Sequence, residues 1–206
     1  MSLITKEEAQ EALSPFFHLF RKAVYAAWNR WINNPVAPHM HHKRVRANII
    51  WNEFFDEMFN EIDTGEYGDI RFARIPYNQG FVVDGRYFIR FKKGDSNFLS
   101  SNYPTQTTLK FHDPEIDMFG GEVRLELLYV LDRDGIGVDK IALTQRKDKF
   151  VAWAIDLTAE NNVIELPEEE ANTTSVRHSD VAKKVIKSRN RKADQNDMKV
   201  QNGHDG

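Results

Sequence analysis

The chain has 206 residues, 41% apolar and 12% aromatic, enough for one core of ordinary size and too few for two. A net charge of −3 and a pI near 6.2 exclude a global positive field, so contact with nucleic acid or anionic lipid requires a local patch. The lack of cysteine excludes a disulfide scaffold, thiolate metal sites and a cysteine nucleophile, and points to a reducing cytoplasm.

Met1 to Glu11 is charged and has no apolar run of the signal-peptide kind. No stretch approaches the roughly 20 apolar residues of a membrane-spanning helix. Thr5 followed by Glu8 has the form of a capping box and starts a short helix. Ser14-Pro15 restarts it, and Phe16, Phe20, Ala23, Ala27 and Trp31 then recur at helical spacing until Asn33-Asn34-Pro35. A second helix is predicted from about Lys43 to Ile62, with Val45, Ile49, Phe54, Met58 and Ile62 as its buried face and Thr64-Gly65 as its stop.

From Ile70 the period changes to two. Strands are predicted at Ile70–Ile75, at Phe81–Asp84 and Arg86–Lys93 around the turn pair Asp84-Gly85, and at Glu122–Leu131, Ile136–Gln145 and Lys149–Leu157. Short connections between the last three imply antiparallel pairing. Gly94 to Gly121 reads as a long polar loop. The expected fold is α+β: N-terminal helices packed on an antiparallel sheet over residues 1–157. Residues 158–206, with an acidic block at Glu165–Glu170 and a basic block at Lys183–Lys192, read as a disordered charged tail.

The candidate anion-binding residues are Arg44, Arg46, Arg90, Lys92 and Lys93. Lys43, Arg44 and Arg46 occupy the first turn of the second helix, where the macrodipole already disfavours cations and favours a bound anion. Arg86, Phe88, Arg90 and Lys92 share one strand face by alternation, a pattern of surfaces that stack bases and neutralise phosphate. Against this stands pairing of Arg86 and Arg90 with Glu122 and Glu126 across a solvated sheet. Ser101, Asn102 and Thr105, in the long loop, are candidates to line a pocket.

Other patterns carry less. His39, His41 and His42 lie close together but lack nearby acidic ligands or thiolates, so they read as an exposed loop and no metal or cofactor is expected. Asp132-Arg133-Asp134-Gly135 resembles the start of a calcium loop, yet Leu143 stands where the twelfth-position glutamate is needed, so a hairpin turn explains it better. Asp113, Glu115 and Asp117 alternate without a further nuclease signature. No Gly-x-Ser-x-Gly, Walker or dinucleotide-binding glycine motif is present.

The segments Arg44-Val45-Arg46-Ala47, Ile50-Trp51, Arg90-Phe91-Lys92-Lys93 and Ser101-Asn102-Tyr103-Pro104-Thr105, with Phe111 and Trp153, resemble a family of uncharacterised bacterial and prophage proteins. Their genes neighbour those of an Xre-type regulator fused or adjacent to an ImmA/IrrE-type zinc peptidase. The resemblance spans about Lys43 to Leu157, and His112 to Gly121 depart from it. It implies the toxin or effector half of a toxin–antitoxin or phage-defence pair, with the regulator-peptidase as antitoxin partner. It implies no catalytic residues. A nucleic-acid-binding module without catalysis, and a nuclease or other hydrolase using the long loop, remain open as alternatives.

Overall fold

The computed structural model describes residues 3–75, 78–101, 105–117 and 120–159. Three helices lead the chain: α1 (Lys6–Leu13), α2 (Phe17–Ile32) and α3 (Lys43–Asp63). The Thr5 side chain caps α1 by accepting from Glu8 N at 3.1 Å. Glu8 does not close the expected box. Its carboxylate instead meets Arg86, in the turn just before the strand that begins at Tyr87. Pro15 lies in the 3₁₀ turn, Ser14–Phe16, that redirects the chain into α2.

Six strands follow: β1 (Ile70–Ile75), β2 (Asn78–Val83), β3 (Tyr87–Gly94), β4 (Val123–Leu131), β5 (Val138–Lys147) and β6 (Phe150–Asp156). They lie side by side in chain order. Asp84 and Gly85 both have positive φ, 49° and 61°, as the central pair of a turn closed by Arg86 N donating to Val83 O, after which Val83 pairs with Tyr87. Gly135, at φ 71°, makes the turn between β4 and β5, and Asp132 accepts there from Ile136 N and Gly137 N. That segment is a hairpin, as its sequence indicates.

The sheet is mixed rather than wholly antiparallel. β3 and β4 run parallel, in register from Tyr87 opposite Val123 to Gly94 opposite Val130, while the other neighbouring strands are antiparallel. Parallel neighbours need a crossover of a dozen or more residues, and the segment after Gly94 supplies it. Nor is that segment all loop. It carries a short helix, α4 (Gln106–His112), capped by the Thr105 hydroxyl, which accepts from Thr108 N.

Alternation decides the two faces of the sheet. Tyr87, Ile89 and Phe91 join Leu125, Leu127 and Tyr129 in the main core beneath α2 and α3. Aromatic rings join the layers: Phe54 of α3 stacks on Phe91 with centroids 3.9 Å apart, and Phe55 on Phe81 at 5.0 Å. On the other face Phe88, Val82 and Phe111 of α4 form a second, smaller cluster. Both faces of β3 are therefore covered.

Among the described residues, no helix is long and apolar enough to cross a membrane. The expected charged tail lies outside the described residues from 160 onward. At its start, Thr158 accepts from Ile141 N and Ala159 O from Arg21.

Candidate anion-binding cleft

The strand face carrying Arg86, Phe88, Arg90 and Lys92 is not an open basic surface. Phe88 is fully buried against Phe111. Arg90 lies opposite Glu126 in the parallel register and donates to its Oε1 from Nε at 2.8 Å and Nη2 at 2.6 Å. Its Nη1 reaches Asn78 Oδ1 at 3.1 Å, Nη2 meets His112 Nε2 at 3.0 Å, and the guanidinium rests 3.6 Å from the centroid of the Phe111 ring. The side chains of the pair are 4% and 2% exposed. Arg90 is thus the centre of an internal ion pair, covered by α4, and leaves the proposed anion site.

Pairing of Arg90 with Glu126 was one of the two sequence expectations, but on a solvated sheet. The pair is instead dry. Burial by itself would raise the Glu126 carboxyl, yet the Arg90 guanidinium overrides this and, with His112, holds it at about 2. Burial pushes His112 below its ordinary value despite Glu126. Arg86 pairs with Glu8, Glu122 lies 3.7 Å from Arg71, and Arg124 reaches the carbonyls of Lys110, Asp113 and Ile116.

On the helix side two adjoining clefts open where the first turn of α3 meets the C-terminal ends of β3 and β4. Lys43, Lys93 and Ser101 border both. The larger, about 880 Å³, lies towards the β4–β5 hairpin and is mixed in charge: His41, His42, Arg46 and Arg133 share it with Asp95, Asp132, Asp134 and Asp139. Arg46 here donates to Gly135 O at 3.0 Å.

The smaller, about 540 Å³, is lined by Lys43, Arg44, Ala47, Asn48, Trp51, Phe91, Lys92, Lys93, Ser101 and Tyr129. Among the described residues that line it, none is a carboxylate. Burial lowers Lys93 from its ordinary value, and the positive charges of Arg46 and Lys43 lower it further. Among the described residues, Lys43, Arg44 and Lys93 form no ion pair. The four aspartates line the adjoining larger cleft, so positive charge dominates on the smaller cleft's own wall, in a chain whose net charge is negative.

Of the residues chosen from sequence, Arg44, Lys93 and Ser101 meet at the smaller cleft, and Arg46 borders the larger one. Lys92 lies on the rim, but burial lowers its ammonium and the charges acting on it, Arg90 and Glu126, belong to the opposite face. Thr105 caps α4 and lines neither cleft. Asn102 lies outside the described residues.

Compared with known proteins, the chain matches no family model, no curated protein and no solved structure. Among the described residues, no group of three or more histidines and carboxylates is placed to hold a metal ion. His42 has a local role: its Nδ1 accepts from Arg44 N at 3.1 Å and caps α3.

Sequence reading missed Asn48, Trp51 and Tyr129. A signal for two of them was present, because Arg44, Asn48 and Trp51 follow one another at i, i+4 and i+7 on α3. Tyr129 had none, since the pairing that sets it opposite Lys93 is the parallel one.

Proposed function

We propose that this chain is a binding protein whose smaller cleft holds a phosphate-bearing ligand, acting in the reducing cytoplasm as the effector half of a bacterial toxin–antitoxin or phage-defence pair. One observation carries the ligand reading: Lys43, Arg44 and Lys93, from two separate elements, border one cleft whose described lining has no carboxylate. The positive end of the α3 macrodipole adds to their field. The resemblance stated above supplies the biological setting and the antitoxin partner.

Calorimetric titration with inorganic pyrophosphate tests the ligand reading. Binding should weaken as salt rises and disappear in Lys93→Glu; heat that is absent at low salt and millimolar ligand refutes it. Expression in a bacterial host tests the setting. Growth arrest relieved by a neighbouring regulator-peptidase gene supports it, and harmless overexpression counts against it.

A further inference from the structure

The smaller cleft is polar at one end and aromatic at the other. Its cationic end is the first turn of α3 with Lys93. Two turns further along the helix lies Trp51, about 12 Å from Lys43 at 1.5 Å per residue. The indole is half-buried, packs on Phe55 with centroids 4.1 Å apart, and lines the cleft. Asn48 lies between, with no partner for its carboxamide among the described residues.

Tyr129 is the second, independent sign of a ligand. The residue is only 3% exposed, lines this cleft, and stands opposite Lys93 across the parallel pair. Its hydroxyl has no hydrogen-bond partner among the described residues, and it is not among the fully enclosed orphan atoms such as the Tyr87 hydroxyl. It therefore opens onto the cleft. Polar groups on side chains this buried are nearly always bonded, so the hydroxyl, on which the Arg46 charge acts, fits a ligand acceptor.

We infer that the ligand is a nucleotide, its phosphates held by Lys43, Arg44, Lys93 and the Tyr129 hydroxyl and its base stacked on Trp51 with Asn48 at the base edge. Inorganic phosphate or a simple phospholipid headgroup would use the cationic end and leave the indole idle. A base has a flat π-face that every nucleotide shares, and aromatic stacking rewards it without regard to sequence. The same unit occurs free or within a single strand.

This inference rests on the phosphate reading, and calorimetry with three probes separates their failures: inorganic pyrophosphate, ADP and a short single-stranded oligonucleotide. ADP should bind more tightly than pyrophosphate by roughly 5- to 150-fold, the worth of one base stacked on one aromatic ring. Trp51→Leu, which keeps an apolar side chain against Phe55, should erase that advantage and leave pyrophosphate binding unchanged. Tyr129→Phe, which removes a hydroxyl and no packing, should weaken pyrophosphate and ADP alike. Equal affinity for ADP and pyrophosphate in the unmutated protein overturns the nucleotide inference while the phosphate reading stands. Binding of neither ADP nor pyrophosphate overturns both. If the oligonucleotide binds more tightly than ADP, with a log–log salt slope near −2 (about 0.7 per phosphate for three contacts), the nucleotide belongs to a strand. If ADP binds as well, it is free.

Discussion

Replacing Glu126 with glutamine removes one charge and almost no volume from the interior face between α4 and the sheet. In the folded protein Arg90 donates twice to Glu126 Oε1, at 2.8 and 2.6 Å, and both side chains are nearly inaccessible. The variant leaves the guanidinium buried with only neutral partners, Asn78, His112 and the Phe111 ring. Breaking a buried pair from one side costs about 3–5 kcal/mol, because the remaining charge is uncompensated. For a domain of this size each kcal/mol lowers Tm by about 2–4 °C, so the melting point should fall by roughly 6–20 °C. Urea denaturation followed by circular dichroism gives the free energy directly. Replacing both partners, Arg90→Met with Glu126→Leu, should recover most of the loss, since well-packed apolar pairs often match a buried ion pair. A cost below about 1 kcal/mol for E126Q would show that the pair is solvated, and the account of this face would be wrong.

The same cluster predicts acid sensitivity. The folded Glu126 carboxyl titrates at about 2, below its ordinary 4.5, so its contribution is complete above about 4.5 and is lost as pH falls towards 2. Its size is about 3 kcal/mol, taking about 1.4 kcal/mol per unit. His112 acts in the same direction: burial lowers it from 6.5, so stability declines as pH drops below about 6.5 and the unfolded chain takes up the proton. Urea midpoints should hold from pH 8 to about 6.5 and fall from there to pH 3, and a flat profile below pH 6.5 would contradict this. Gly80→Ala should destabilise the fold by about 1–3 kcal/mol or more, because the added Cβ would clash with the Ile89 carbonyl oxygen and lie 3.0 Å from the Phe88 ring. A variant with an unchanged urea midpoint would show that β2 and β3 do not approach so closely.

Much of the architecture was legible because periodicity is local. The predicted helix from Lys43 to Ile62 is α3, and the turn pair Asp84-Gly85 joins β2 to β3. α4 escaped notice because seven residues, with Leu109 and Phe111 as their large apolar side chains, are too few to display a period. The parallel pairing of β3 with β4 escaped it because a long crossover is compatible with several topologies. Arg90 and Lys93 show the consequence for the site. Both are cations on one strand, three residues apart, yet one is locked beneath α4 and the other borders an open cleft.

By itself, then, the sequence determined the α+β class, the succession of helices and strands, and which residues of each strand share a face. Hydrophobic period and turn chemistry are properties of neighbouring residues, so they can be read without a fold. Tertiary structure alone decided what covers each face: α4 over Arg90 and Glu126, and open space beside Lys93, Tyr129 and Trp51. Whether a charge meets a carboxylate or a cleft depends on segments far away along the chain, and no local pattern encodes that meeting.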